Sequence, residues 1–444
     1  MIGIKGTGMS SLAVNLKHMG SRVSGSDYPE SFFTDELLKK QNLRPLTPFS
    51  PQNIPGQTDL VIVSTAYNNK NVEVREAERR GLKIISYAQM LGLLSKELGS
   101  IAICGSHGKT TTSGILSFIL SKTKYQPIVN VGSIVPQLVN YRPRDPKLFV
   151  FEADEYQNKF EFFHPKTVIL ANIDFDHPDY FRDLKQYKSV FGEFIKRIPK
   201  NGLLIYCADD KNCGNIAKNA VCAKIGYGFS KQAMVQINVV EILPDKMIFS
   251  LALPDRKVCE FTSKLIGEHN ALNLSAASIC ADYLGIPVKQ IKSAVARFAG
   301  TKRRMELIKK VKINGHSCIV MDDFAHHPTE IRSTIKALKT AYPGKTLWTV
   351  FQPHTFSRTE ALFNDFARAF DKSDKTIILD IYASKRETGG KIHSRDLVNK
   401  INSANVFYKP DVIRAADFIK KRVKSEGIIL TMGASNVWEL ARFL

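Results

Sequence analysis

Ile101-Ala102-Ile103-Cys104-Gly105-Ser106-His107-Gly108-Lys109-Thr110-Thr111 is the stretch that decides the fold. A short apolar run with two β-branched residues passes directly into two glycines and a Lys-Thr pair. The run reads as a buried strand. The apolar spacing from Ser113 to Leu120 reads as the helix that follows. In a strand–glycine loop–helix unit, backbone N–H groups at the helix start cradle phosphates, the lysine reaches the outer phosphates, and a threonine hydroxyl meets Mg²⁺. The first glycine of the ordinary phosphate loop would stand at position 103, where the chain has Ile103, so this loop is shorter between its glycines. The segment predicts ATP binding through Gly105, Ser106, His107, Gly108, Lys109, Thr110 and Thr111.

Upstream lies a second glycine turn, Gly3-Ile4-Lys5-Gly6-Thr7-Gly8-Met9-Ser10, followed by a helical pattern and by Gly25-Ser26-Asp27. Glycines there let a backbone approach a pyrophosphate, and an acid about 20 residues on is placed to bind a ribose hydroxyl. The spacing is not G-x-G-x-x-G, which disfavours a nicotinamide-dependent dehydrogenase. Asp59–Ser64 and Lys83–Ile85 read as strands, with a helix over Asn71–Arg80 between them.

Downstream, Leu148–Phe151 and Thr167–Ile173 read as strands carrying Glu152-Ala153-Asp154-Glu155 and Asp176-His177 at their carboxyl ends, where open α/β sheets bind ligands. A carboxylate and an imidazole there predict a second divalent cation. His269-Asn270-Ala271-Leu272-Asn273 opens a helix, its amides either reading an adenine edge or capping. Arg303-Arg304 suits phosphate. Asp322-Asp323-Phe324-Ala325-His326-His327-Pro328 and Phe351-Gln352-Pro353-His354, with Ser357-Arg358-Thr359, follow two further strands. The repeated alternation of strands and helices predicts parallel, doubly wound α/β units. We place three domains in series at 1–97, 98–299 and 300–444.

The 444 residues are 44% hydrophobic and 24% charged, a composition that excludes disordered, collagenous and disulfide-scaffold classes. No apolar run approaches the ~20 residues of a membrane span. The N-terminus shows no signal-peptide pattern. It opens almost inside the first strand, so either a few residues precede Met1 or that strand is short. Seven cysteines, odd in number and never spaced C-x-x-C, predict free thiols in a reducing compartment. The net charge of +21 invites a nucleic-acid reading. It rises from +3 to +7 to +11 along the three domains without a dense block, and no aromatic interleaving or helicase-like motif accompanies it. We read most of it as solvated surface.

Taken in order, these motifs resemble the Mur ligase family, the ATP-dependent amide-forming ligases of peptidoglycan synthesis. The resemblance runs from the 3–10 turn to Met432-Gly433-Ala434, nearly the whole chain. It implies an α/β protein of three domains: a Rossmann-like N-terminal domain, a central P-loop ATPase-like domain and a Rossmann-like C-terminal domain. Their ligands would be a UDP-sugar, ATP and an amino acid. It implies UDP-sugar contacts at Gly6, Thr7, Gly8, Met9, Ser10, Ser26 and Asp27, and ATP contacts at Asn270, Asn273, Arg304 and Asp323 beyond the loop. Thr110, Glu152 and His177 become Mg²⁺ ligands, Lys109, His177, Arg304 and His327 catalytic residues, and His354 and Arg358 the amino-acid site. Within the family it implies L-alanine ligation to UDP-N-acetylmuramate in the cytoplasm by a monomer or homodimer, with neither nucleic acid nor membrane as partner. The alternative is the ligase that reattaches a recycled tripeptide, which Glu155-Tyr156 and Phe324-Ala325 also suit. Two departures stand out: Thr355 where some members have Arg, and Ser435 where a Gly is common.

Overall fold

The computed structural model describes residues 1–253, 258–383, 387 and 389–444. Three parallel or mostly parallel sheets follow one another along the chain. In the first, Leu46, Ser26 and Ile2 join strands Leu60–Val63 and Lys83–Ser86 through parallel pairings, in that spatial order. The order reverses beside Ile2, which puts the first glycine turn at a topological switch point, the ligand-binding place of open α/β sheets. Ile2 pairs only through two isolated bridges, to Val63 and to Ser26, shorter than the expected strand. The amides of Gly3 and Ile4 both donate to the Ser26 carbonyl, at 2.9 and 3.1 Å, so the chain turns at once. Helix Thr7–His18 follows directly.

The central sheet has nine strands, with Gly99–Cys104 between Leu148–Glu152 and Thr167–Leu170. Its parallel strands are buried on both faces, which is why they read as unbroken apolar runs. At one edge Val235–Ile242, Met247–Ala252 and Cys259–Ser263 turn antiparallel. These strands bury alternate residues and expose the rest, and sequence reading did not single them out. The third sheet runs Glu306–Ile313, His316–Asp323, Gly427–Met432, Thr346–Phe351, Lys375–Ile378, Val406–Tyr408 in space, antiparallel only at its first pair.

Helix Lys109–Ser121 is buried from Thr110 onward and packs on helix Glu268–Tyr283. One apolar cluster runs from Ile101 and Ile115 through Leu274 to Met321, Ile331 and Leu430, so the core crosses from the central to the third sheet without a polar break. The first domain docks through a second apolar cluster, which joins Met9, Leu12, Ala88 and Leu91 to Ala102, Phe149 and Phe151, and through hydrogen bonds: Asn15 Nδ2 donates to the Val129 carbonyl at 2.7 Å and the Tyr87 hydroxyl to Asn130 at 2.6 Å. All seven cysteines are free thiols, six of them buried and Cys259 half-buried. No helix among the described residues is long and apolar enough to cross a membrane.

Candidate active site

The strand Gly99–Cys104 delivers a loop whose two glycines are required by shape. Gly105 and Gly108 have φ of 130° and 80°, and a Cβ on Gly105 would lie 2.8 Å from the Asn172 carbonyl oxygen. A Cβ on Gly108 would collide with the Asn273 side chain. The loop is pinned from below: the Ser106 amide donates to the Asn172 carbonyl at 3.1 Å and the His107 amide to Asn172 Oδ1 at 2.8 Å. The expected strand–loop–helix is thus present, with Gly108 as the residue before the helix.

Lys109 reaches back over this loop. Its Nζ donates to the Gly105 carbonyl at 2.5 Å and to Glu155 Oε2 at 3.1 Å. Burial alone would weaken the ammonium, but Glu155, Asp154 and Glu152 outweigh it and hold the pKa above its ordinary value. Glu155 also accepts from the Tyr187 hydroxyl at 2.7 Å. Beside it the Thr110 hydroxyl donates to Glu152 Oε2 at 2.9 Å, and the Gly132 amide caps the same oxygen at 2.8 Å.

His177 lies across from this pair at a φ of 56°. Its Nε2 is 3.9 Å from both Glu155 Oε1 and Asp176 Oδ2. Asp154, Glu155 and His177 each offer a ligand atom within 4.8 Å of the other two. Sequence reading paired His177 with Glu152; the structure brings it nearer to Asp154 and Glu155 and leaves Glu152 on Thr110. Oxygen donors beside a phosphate loop, with one imidazole, are the chemistry of Mg²⁺ rather than of a soft metal, so the residues fit that ion.

Two cavities meet at this loop. The larger, about 460 Å³, is lined by His107, Gly108, Asn270, Asn273, Arg304 and Asp323, among others. The smaller, about 210 Å³, is lined by Lys109, Thr110, Glu152, His177, Arg304 and His326, with Thr7 from the first domain. Gly108, Arg304 and Glu330 border both. A pocket of a few hundred Å³ suits a nucleotide, and the shared wall is where its terminal phosphate would pass. Asn270 and Asn273 open helix Glu268–Tyr283, and Asn273 Oδ1 accepts from the Thr112 hydroxyl at 3.1 Å. Asp323, at the end of strand His316–Asp323, is buried; burial pushes its carboxyl up to about 6 despite Arg304. His269, also facing the larger cavity, is pushed down to about 4 by burial.

The two arginines expected to take phosphate separate. Arg303 is tied to Asp322 at 2.9 Å and to the Gly433 carbonyl at 2.7 Å, while Arg304 borders both cavities, its Nη1 3.3 Å from Glu330.

Several expected site residues are placed otherwise. The Asp27 carboxylate accepts from the Lys5 amide at 2.7 Å, the Tyr28 amide at 2.9 Å and the Tyr67 hydroxyl at 3.0 Å, and the residue is 2% exposed. Ser26, equally buried, donates to Glu73. Both bond within the first domain, where the resemblance has them facing a sugar nucleotide. In the 6–10 turn, Thr7 opens on the smaller cavity, whereas Met9 and Ser10 are buried and Gly8 lies under the Tyr87 ring.

His327, expected to be catalytic, caps helix Pro328–Ala341: its Nδ1 accepts from the Thr329 amide at 3.3 Å and its Nε2 faces the Phe175 carbonyl at 3.1 Å. Both nitrogens are engaged, so His327 ties the two domains, and its neighbour His326 faces the smaller cavity instead. Arg358, expected at the amino-acid carboxylate, is 6% exposed with its Nε on Asp176 Oδ1 at 2.9 Å. It lines neither cavity and acts as a second interdomain tie. His354 stands beside it, 3.4 Å from its Nη1, and stacks on Tyr382.

Sequence reading missed Asp174, Tyr187 and Glu330. Asp174 Oδ2 accepts from the Thr329 hydroxyl at 2.6 Å and lies 3.2 Å from His107 Nε2. Asp174 follows the strand Thr167–Leu170 at the same sheet edge as His177, a positional signal that could have marked it.

Comparison with known proteins adds to this geometry. Residues 1–98 match the Mur ligase family catalytic domain, 103–281 the Mur ligase middle domain and 303–435 the Mur ligase glutamate ligase domain. The chain is 38% identical to the UDP-N-acetylmuramate–L-alanine ligase of Acetivibrio thermocellus over 99% of this chain and 93% of that one. It is 33% identical to the ligase of the same name from Desulfitobacterium hafniense, over 100% and 98%. Among solved structures, the UDP-N-acetylmuramate–alanine ligase of Thermotoga maritima is similar with a TM-score of 0.83 at 23% identity, over 100% of this chain and 97% of that one. A murein peptide ligase from Psychrobacter arcticus gives 0.72 at 24%, over the same shares. At these identities the solved structures speak for the fold.

Proposed function

The chain belongs to the Mur ligase family, and we propose that it is the member that joins L-alanine to the lactyl carboxylate of UDP-N-acetylmuramate while ATP is split to ADP and phosphate. The observation that carries this reading is full-length similarity, at 33–38% identity, to relatives that bear this activity in their names. The joined cavities support it, because the reaction needs a nucleotide and a carboxylate to meet.

A carboxylate is a poor electrophile. The γ-phosphoryl group therefore moves first to a lactyl oxygen, breaking its bond to the β-phosphate oxygen and releasing ADP. The alanine nitrogen then attacks the acyl carbon, and the tetrahedral intermediate expels phosphate. We assign the larger cavity to the nucleoside, with Asn270 and Asn273 near the base and Asp323 accepting from the ribose. Lys109 and Arg304, both cationic and both at the smaller cavity, stabilise charge on the phosphoryl group as it moves. Thr110 and Glu152 would hold one Mg²⁺ ion, and His177 with Asp154 and Glu155 a second. Such ions, when bound, neutralise phosphate charge.

His326 is a neutral imidazole, pushed down to about 3 by burial and then by Arg358. Its Nδ1 lies 3.0 Å from the Phe324 carbonyl, which makes Nε2 the acceptor end of the ring. We assign it to orient the incoming amine. The wall formed by the third domain excludes water from the acyl phosphate. ATP and a UDP-sugar place the reaction in the cytoplasm. One copy supplies every group named, whether the protein is a monomer or a homodimer.

The test is phosphate release from ATP and UDP-N-acetylmuramate with a panel of L-alanine, L-serine, glycine and the recycled tripeptide. L-Alanine should be the fastest by kcat/KM. A tripeptide that outruns it would replace this reading with the recycling one.

A further inference from the structure

Glu330 sits in the first turn of helix Pro328–Ala341, where the helix dipole favours an anion, and its side chain is 10% exposed. It borders both cavities. Oε1 lies 3.3 Å from Arg304 Nη1 and 3.5 Å from His107 Nδ1. Oε2 accepts from the His326 amide at 3.1 Å and lies 3.5 Å from the His326 ring. Burial would raise this carboxyl, but the hydrogen bond and charge of His107, with the charge of Arg304, hold it well below the usual range, so it is an anion.

An anion beside the path of a triphosphate repels it, and the repulsion is strong in a water-poor cavity. The carboxylate can stand there because it lies between two cations. Arg304 is one. His107 is the other: burial would discharge it, yet Asp174 and Glu330, one on each ring nitrogen, push it up to about 9. The other titratable or charged groups facing this imidazole are the His327 ring, 4.6 Å away, and Arg304 behind Glu330. Arg304, His107 and Glu330 together carry +1, and Asp174 on the far side of His107 brings the cluster to neutral. Glu330 comes from the third domain, His107 from the phosphate loop, and Arg304 from the segment that links them.

We propose that Glu330 is a positioning residue that holds Arg304 and the phosphate-loop His107 in their working places, so that docking of helix Pro328–Ala341 completes the ATP site. Without that carboxylate, Arg304 loses its ion-pair partner on the cavity wall and His107 keeps one acid of two. The effect falls on phosphoryl transfer, while the sugar contacts are left as they were and the His326 ring keeps its bond to the Phe324 carbonyl. The inference rests on the ligase reading above.

The experiment compares the full chain with Glu330→Gln and Glu330→Asp, using phosphate release with ATP, UDP-N-acetylmuramate and L-alanine, and thermal unfolding to establish folding. For Glu330→Gln, kcat should fall about 100-fold, the cost of a misplacement of order 1 Å. KM for L-alanine should stay within about threefold, as expected for a loss made in the transition state. The basic limb of the kcat–pH profile should move to lower pH, because His107 has lost one acid. Glu330→Asp keeps the charge, so its basic limb should stay in place while kcat falls through shortened reach. It serves as the test should the Gln variant not fold. A folded Gln variant with kcat within about threefold of the parent and an unmoved pH profile overturns the proposal. So does an Asp variant as active as the parent. Failure of the parent itself to release phosphate overturns the ligase reading instead.

Discussion

Each of the two glycine turns carries one lysine, and the two lysines are wired differently. Lys5 sends its Nζ to the carbonyls of Tyr28 and Glu30, at 2.9 and 3.0 Å, and lies 3.6 Å from Asp35, all within its own domain. It is 6% exposed and borders neither cavity of the active site. Lys109 rests on its own loop carbonyls and on Glu155, at the wall of the smaller cavity. Both turns have the glycines and the helix N-terminus that a phosphate needs. The surrounding acids decide their use: Asp27 is consumed in bonding the first turn to its sheet, whereas Glu152, Asp154 and Glu155 keep Lys109 charged at a cavity.

The comparison can be broken most severely at Lys109. Lys109→Ala should lower phosphate release by at least about 100-fold, the scale of losing one donor to the transition state. A coupled assay showing substantial residual turnover would place the phosphoryl charge elsewhere. Next comes Asp27→Ala, which strands the buried Lys5 amide and the Tyr67 hydroxyl. Urea unfolding should show a loss of about 2–3 kcal/mol, the cost of charged hydrogen bonds and unpaired partners. The smallest effect is one of pH. The folded His107 titrates near 9 against an ordinary 6.5, so its contribution to stability is complete below about 6.5 and is lost as pH rises through 9. Asp174, held near 2 against 3.8, loses its share only as pH falls through 2. Denaturation midpoints measured from pH 6 to 10 should therefore decline toward the alkaline end, and a flat profile would mean that the imidazolium is not held by its two acids.

How much of this was legible follows from the range of the interactions. Ile101–Cys104 and Leu148–Phe151 are apolar on both faces, and Leu347–Phe351 is so but for the buried Thr349, so the sequence marks them without help. Lys109 and Thr110 were legible because the loop, its lysine and its hydroxyl are adjacent in the chain. The antiparallel strands from Val235 to Ser263 were not, because a half-buried strand at a sheet edge alternates weakly and resembles a surface loop. His326 and His327 are indistinguishable as a dipeptide; only the cap on Thr329 and the Phe175 carbonyl, 152 residues away, decide which one faces the cavity. Glu330 and Asp174 meet at His107 from different domains, and the pattern local to each is that of an ordinary surface acid.

The seven thiols have a practical consequence. Burial pushes Cys207 and Cys280 up to about 11 and 12, and raises Cys104 and Cys213 as well. A thiol reagent attacks the thiolate, so these positions stay silent while the chain is folded. Cys104 lies at the base of the phosphate loop, Cys280 in the helix behind it and Cys318 in the third sheet. Without any added label, the chain thus carries three clocks, each of which starts only when its own part of the molecule opens.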